Sequence, residues 1–137
     1  MIGVEFTDIN LEKREINQYG PLALAFLGDV IYEKLVREYI ILKGNMPVAK
    51  LHNLSVKKVC AEYQAKGVEL IRDMLTEEEQ DVLRRGRNAS GITAPKHSTV
   101  AEYRMATSLE CLFGYLHLAG QEKRIEELFD VIWNMEE

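Results

Sequence analysis

Two acidic residues lie in segments of the sequence that are otherwise apolar. Asp29 is the only charged residue in the segment 22–31, and it directly follows Gly28. Glu110 is the only residue charged at neutral pH in the segment 105–121. Acidic side chains are rarely buried unless they are paired or bind a metal ion, and both aspartate and glycine disfavour a helix interior. The pattern indicates that something other than local helix preference accounts for these acids.

Each of these acids lies beside a glycine in a predicted helix. Gly28 precedes Asp29, and Gly114 follows Glu110 by four residues, on the same helix face. Two helices can approach closely where neither carries a side chain, so we expect the two carboxylates to be buried and to come together. Carboxylates at close range repel each other unless a cation lies between them, and their oxygens suit Mg²⁺ or Mn²⁺. The alternative is that a buried acid pairs with a lysine or an arginine, for which Lys34 or Arg104 could reach, or lies at a helix N-terminus.

Cap and turn residues divide the chain into helices. Pro21 suits the first turn of a helix, and Thr76 with Glu79, like Thr99 with Glu102, has the spacing of a capping box. No segment alternates with a period of two for long, so we expect an all-α fold. The predicted helices cover residues 21–42, 48–53, 55–71 with Ser55 as the cap, 76–87, 99–118 and 122–135.

Length and composition limit the class of protein. With 137 residues, 47% hydrophobic and 28% charged, the sequence fits a single globular domain over 1–137 and excludes a disordered chain. It has neither the apolar region of a signal peptide nor an apolar run long enough to span a membrane. Cys60 and Cys111 lack zinc-binding spacing and are expected as buried free thiols in a reducing compartment. We therefore expect a cytoplasmic protein without membrane association.

The charge of the chain is unevenly distributed. Its net charge of −5 argues against a protein that binds nucleic acid nonspecifically. The stretches 39–61 and 82–101, however, contain basic residues and no acid. They predict contacts with an anionic partner, and the alternative is chance clustering on a solvated face. The basic side chains are Lys43, Lys50, His52, Lys57 and Lys58 in the first stretch, and Arg84, Arg85, Arg87, Lys96 and His97 in the second.

Both acidic segments resemble motifs of a known enzyme family. The run Phe-Leu-Gly-Asp at 26–29, with its apolar flanks, resembles the signature helix of the ribonuclease III catalytic domain. The segment 106–116 resembles the second acidic motif of that domain, and the order and separation of the two motifs agree with the family. The resemblance extends from about residue 16 to 130. Within the family, the segments 84–89, 95–97 and 103–107 resemble the short Mini-ribonuclease III subgroup, which lacks a double-stranded-RNA-binding domain.

The resemblance implies a ribonuclease III endonuclease-domain fold and a homodimeric, Mg²⁺-dependent endonuclease that cleaves double-stranded RNA, with Mn²⁺ as a substitute. Asp29 and Glu110 are the expected metal ligands and catalytic residues. The expected substrate is precursor 23S ribosomal RNA, processed with help from a large-subunit ribosomal protein. Duplex RNA is bound through shape, phosphates and 2′-hydroxyls, so basic side chains are the expected contacts. They are Arg84, Arg85, Arg87, Lys96, His97 and Arg104, with Lys50, Lys57 and Lys58 as a second track.

The sequence departs from the family at two positions. Full-length ribonuclease III has a glutamate four residues before the signature aspartate and an aspartate three residues before the second glutamate. Here those positions are Ala25 and Thr107. One metal ion held by two carboxylates, waters and RNA phosphates is therefore expected. The departure also motivates an alternative function, a catalytically inactive RNA-binding or ribosome-assembly subunit. A helical adaptor without an RNA role would explain neither the isolated acids nor the basic stretches.

Overall fold

The computed structural model describes residues 9–91 and 97–135. This part of the chain contains seven α-helices and a short 3₁₀ turn at Arg72–Met74, and no strand, which confirms the all-α class. None of its helices is long and apolar enough to cross a membrane. The helices are α1 (Lys13–Ile16), α2 (Pro21–Ile41), α3 (Val48–Val59), α4 (Ala61–Ile71), α5 (Glu77–Ala89), α6 (Val100–Leu118) and α7 (Glu122–Trp133).

Helix α6 forms the centre of the fold. Helices α2, α4, α5 and α7 all pack against it. Leu109, Leu112 and Phe113 are each 0% exposed. Within the segment 106–116 only Glu110 is not fully buried. Glu110 is thus the one position within this buried segment of the central helix that reaches solvent.

The predicted capping boxes form as expected. The Thr76 hydroxyl accepts a hydrogen bond from the Glu79 backbone N–H at 3.1 Å, and the Thr76 N–H donates to the Glu79 carboxylate at 2.9 Å. Thr99 and Glu102 make the same two bonds at 3.0 and 2.9 Å. These bonds satisfy backbone groups that a helix start otherwise leaves unpaired. They fix the first residues of α5 and α6, and so the register of the helix that carries Glu110.

Glu79 also makes a buried ion pair that the sequence did not indicate. The Arg124 guanidinium on α7 donates to both oxygens of this carboxylate, at 2.9 and 2.8 Å, and to the Met74 carbonyl at 2.7 Å. Burial alone would raise the pKa of Glu79, but the hydrogen bonds from Arg124 and Thr76 hold it below its usual value. The pair connects the start of α5 to α7.

The prediction for the region between α2 and α4 is wrong in its boundaries. Helix α3 is continuous, and Ser55 is buried within it, where its hydroxyl donates to the His52 carbonyl at 2.8 Å. A serine can make this bond inside a helix as readily as it caps one. The break falls instead at Cys60, whose extended backbone precedes α4. Cys60 is therefore exposed, against the expectation for both cysteines, whereas Cys111 is buried.

Candidate active site

Helices α2 and α6 make backbone contact at two glycines. A Cβ atom on Gly28 would lie 1.6 Å from the backbone oxygen of Glu110. A Cβ atom on Gly114 would lie 2.0 Å from the backbone oxygen of Leu24. Any larger residue at either position would force the helices apart. The close approach predicted from the two glycines is present in the structure.

This contact brings the Asp29 and Glu110 side chains together. The pKa of Glu110 is raised to about 8, first by burial, then by the charge of Asp29 and a hydrogen bond shared with Asp29. Asp29 itself is exposed, so the expectation that both acids are buried is wrong for this residue. The reason is that the outer face of α2 is open around it, with Phe26 81% and Val30 63% exposed.

The basic residues that offered an alternative partner for the acids are engaged elsewhere. Lys34 on α2 pairs with Glu38 at 3.3 Å. Arg104 on α6 donates from Nε to the backbone oxygen of Arg87 at 3.3 Å. The contacts of these two residues therefore do not make either of them a counter-ion of Asp29 or Glu110.

A third polar side chain lies against Glu110, and the sequence analysis missed it. Gln64 on α4 is 3% exposed. Its Nε2 donates to the Val59 carbonyl at 3.0 Å and lies 3.5 Å from Glu110 Oε2. A signal was present in the sequence, because Gln64 precedes Val68 by four residues and Ile71 by seven, the register of a core-facing position.

The donor chemistry of this site fits a hard divalent cation. Two carboxylates and an amide offer only oxygen as a metal ligand, the type that Mg²⁺ and Mn²⁺ prefer. Across residues 9–91 and 97–135, no group of three or more histidine, cysteine, aspartate or glutamate side chains could hold a metal ion. The buried Ala25 side chain carries no donor, and the Thr107 hydroxyl donates to the Tyr103 carbonyl at 3.0 Å.

The basic C-terminal end of α3 lies near Glu110. The Tyr32 hydroxyl on α2 donates to the Lys58 carbonyl at 2.7 Å. Burial is the main cause of the raised pKa of this tyrosine, followed by Tyr63 and Cys60 and then by the charge of Glu110. Lys58 Nζ lies 3.3 Å from the Tyr63 hydroxyl. The other two predicted RNA contacts on α3 are Lys50 and Lys57, and both are exposed. They are seven residues apart, so their side chains share one face of the helix.

The arginines of α5 lie on a different side of α6. Arg84 and Arg87 line a pocket of about 400 Å³ together with Arg72, Met105 and Ser108. Ser108 faces α5, since its Cα lies 3.1 Å from the position of a Cβ atom on Gly86. Glu110 faces α2 and α4 instead. The structure therefore does not bring these arginines to the carboxylates, and Arg72 is a pocket residue that the sequence analysis missed.

Three other predicted RNA contacts differ in their surroundings. Arg85 donates to Asn17 Oδ1 at 3.0 Å and lies 3.5 Å from Asp81, which also pairs with Arg84. His97 is exposed shortly before α6 begins. Lys96 lies outside the described residues.

Comparison with known proteins identifies the family to which this arrangement belongs. The ribonuclease III domain model matches residues 22–121, which include both Asp29 and Glu110. The chain belongs to the ribonuclease III family. It is 44% identical over 121 residues to Mini-ribonuclease 3 of Thermoanaerobacter sp. strain X514, covering 88% of this chain and 85% of that relative. It is 48% identical over 108 residues to Mini-ribonuclease 3 of Symbiobacterium thermophilum, covering 79% and 83%.

A solved structure has the same fold. A crystal structure of a protein from Fusobacterium nucleatum superimposes with a TM-score of 0.79 at 34% identity, covering 86% of this chain and 96% of that one. Membership of the ribonuclease III family confirms the fold that the two acidic motifs implied. It also confirms that the chain is an endoribonuclease.

Proposed function

We propose that this ribonuclease III family member hydrolyses double-stranded RNA with Mg²⁺ held by Asp29 and Glu110. The observation that supports the proposal is the close approach of these two carboxylates. Without a cation, burial and then the charge of Asp29 raise the pKa of Glu110 to about 8, so a proton on Glu110 removes its charge at neutral pH. A divalent cation would neutralise the pair more completely, and Mn²⁺ would serve as a substitute.

The chemistry assigns separate roles to the metal ion and to the protein. When bound, a divalent ion would supply a Lewis acid for the scissile phosphate and would lower the pKa of a water molecule beside it. Asp29 and Glu110 set the position of that ion, because each extends from a helix whose place is fixed by the glycine contact. Ala25 and Thr107 contribute no acidic ligand, so RNA phosphate oxygens and water complete the coordination.

The substrate proposal rests on the basic residues around the site. Lys50, Lys57 and Lys58 on α3 extend from the acids as one track for RNA phosphates. The residues of the second track contact the duplex further from the scissile bond, because Arg84 and Arg87 lie on the other side of α6. This second track consists of Arg84, Arg85, Arg87, Lys96, His97 and Arg104.

The outer face of α2 supports assembly into a homodimer. Leu22, Phe26 and Val30 are 52%, 81% and 63% exposed, and their spacing of four residues places them in one stripe. An apolar stripe of this kind is unfavourable in water and is expected to be covered. We propose that a second copy covers it across a two-fold axis. Because Asp29 lies beside the stripe, the dimer would present two metal sites to one duplex and cut both strands.

We propose that the natural substrate is precursor 23S ribosomal RNA, and that a large-subunit ribosomal protein aids its cleavage. This part of the proposal rests on the resemblance to the Mini-ribonuclease III subgroup. It is tested by comparing the cleavage rate on a precursor 23S stem with that on an unrelated duplex of equal length. Faster cleavage of the precursor, and a further increase when the ribosomal protein is added, would support it.

The catalytic proposal is tested with purified protein and a fully paired RNA duplex. We expect cleavage of both strands in Mg²⁺, none in EDTA, and a gel shift without cleavage in Ca²⁺. A gel shift in Ca²⁺ with no cleavage in Mg²⁺ or Mn²⁺ would instead support the alternative function, an inactive RNA-binding subunit. That alternative was suggested by Ala25 and Thr107, which replace two acids of the family. Neither cleavage nor a gel shift would contradict both functions.

A further inference from the structure

The carboxamide of Gln64 has one engaged end and one free end. Its nitrogen donates to the Val59 carbonyl at 3.0 Å and faces Glu110 Oε2 at 3.5 Å. Its oxygen is buried and has no hydrogen-bond partner among the residues that the structure describes. A buried acceptor without a donor is unfavourable, and such groups are uncommon in folded proteins. We therefore expect a hydrogen-bond donor from outside the chain to bind this oxygen.

The orientation of this amide follows from its neighbours. The Val59 carbonyl and the Glu110 carboxylate are both hydrogen-bond acceptors. They require the nitrogen end of the Gln64 amide, which leaves the oxygen as the free end. The free oxygen is bonded to the same carbon as the nitrogen, which lies 3.5 Å from Glu110 Oε2. It is neutral and adds no repulsion to the pair of carboxylates.

We propose that Gln64 is a positioning residue of the metal site: its nitrogen holds the Glu110 carboxylate, and its oxygen accepts a hydrogen bond from water bound to the cation. The inference rests on the proposed function, since it requires a cation at Asp29 and Glu110. Mg²⁺ keeps several waters when it binds to few protein ligands. Residues that bind such ligands from outside the coordination shell tune metal affinity strongly.

A second glutamine provides a matched control. Gln80 donates from Nε2 to the Leu75 carbonyl at 3.3 Å, which is the same bond to the residue five positions earlier that Gln64 makes to Val59. Gln80 is exposed and lines the arginine pocket on the other side of α6. If Gln64 served only to hold the start of its helix, the two glutamines would be equivalent with respect to metal binding.

The experiment is a Mn²⁺ titration followed by electron paramagnetic resonance. We expect Gln64→Met to weaken Mn²⁺ binding by about 10- to 100-fold, with Gln80→Met binding as the wild type does. Wild-type affinity in a folded Gln64→Met protein would overturn the inference while leaving the proposed function intact. Asp29→Asn is titrated in parallel, and if it also retains wild-type affinity, the metal site and the inference fail together.

A measurement on the wild-type protein keeps the test decisive if Gln64→Met does not fold. In ¹⁵N-labelled protein titrated with Mg²⁺, the side-chain amide signals of Gln64 should shift in step with the backbone signals of Asp29 and Glu110. The side-chain signals of Gln80 should stay in place. Movement of the Asp29 and Glu110 signals without movement of the Gln64 side chain would overturn the inference.

Discussion

The backbone oxygen of Glu110 occupies the space that a side chain on Gly28 would need, 1.6 Å from the position of its Cβ atom. The reciprocal contact, between Gly114 and the backbone of Leu24, lies one turn along each helix. The distance between α2 and α6 is thus determined by direct contact between their backbones. Because Asp29 directly follows Gly28, the position of the two carboxylates depends on this contact.

Replacing the first of these glycines tests that dependence. Gly28→Ala must force α2 and α6 apart, so we expect a loss of about 3 kcal/mol in the free energy of unfolding, together with weaker Mn²⁺ binding. Urea denaturation measures the first and a Mn²⁺ titration the second. Gly20→Ala is the control, because a Cβ atom there meets nothing within 4 Å. Wild-type stability in Gly28→Ala would show that the helices are not held by this contact.

The raised pKa of Glu110 predicts a pH-dependent stability of the metal-free protein. Its value of about 8 in the folded state exceeds the ordinary 4.5, so the folded chain binds the extra proton more tightly than the unfolded chain. The stabilisation is fully present below pH 4.5 and is lost as the pH rises to about 8. Urea denaturation in EDTA across this range should show the wild type losing stability relative to Glu110→Gln. Parallel curves for the two proteins would contradict the shift.

Two lysines on α3 test the RNA track. Lys50 and Lys57 are exposed on one face of the helix, and each proposed phosphate contact contributes about one unit to the salt dependence of binding. Lys50→Ala with Lys57→Ala should lower the slope of log affinity against log salt by about two units. It should also raise KM with little change in kcat, because these contacts bind substrate and transition state alike.

The control for that double variant removes the same charge elsewhere. Lys13 on α1 pairs with Glu78 at 3.5 Å, and Lys123 is exposed on α7. Changing both to alanine should leave the salt slope near that of the wild type. An equal fall in slope for the two double variants would mean that overall charge, not a track on α3, determines RNA binding.

The apolar stripe on α2 predicts the oligomeric state. Phe26→Glu places a charge in the centre of the proposed interface, so sedimentation should show monomers where the wild type forms dimers. Leu42→Glu is the control, because Leu42 is equally exposed, at 83% against 81%, and lies on the opposite side of the helix axis. A monomeric wild type with full activity, or a dimeric Phe26→Glu protein, would contradict the interface.

Features that depend on nearby residues could be predicted from the sequence. The capping boxes at Thr76 and Thr99 involve bonds over three residues, so their spacing alone indicates them. The approach of Asp29 and Glu110 was also predictable, because a glycine next to each acid marks where two helices can touch. In these cases the residue types allow few alternatives.

Features that depend on distant contacts with no glycine to mark the contact could not be predicted. Ser55 can cap a helix or bond within one, and only the packing of α3 decides between them. The spacing of Gln64 from Val68 and Ile71 indicates a core-facing position, but only the packing of α4 on α6 brings it to Glu110. The exposure of Asp29 follows from an apolar face of α2 that this chain alone leaves uncovered around Phe26.

The most direct test of the proposed active site is the cleavage rate of Asp29→Asn on a fully paired RNA duplex in Mg²⁺. The substitution keeps the shape of the side chain and removes its charge, so we expect the rate to fall by orders of magnitude. The fold should survive, and thermal stability should rise because repulsion with Glu110 is removed. Glu33→Gln, which removes a half-buried carboxylate one turn further along α2, should cut as the wild type does. Cleavage by Asp29→Asn at the wild-type rate would contradict the assignment of this carboxylate pair as the catalytic metal site.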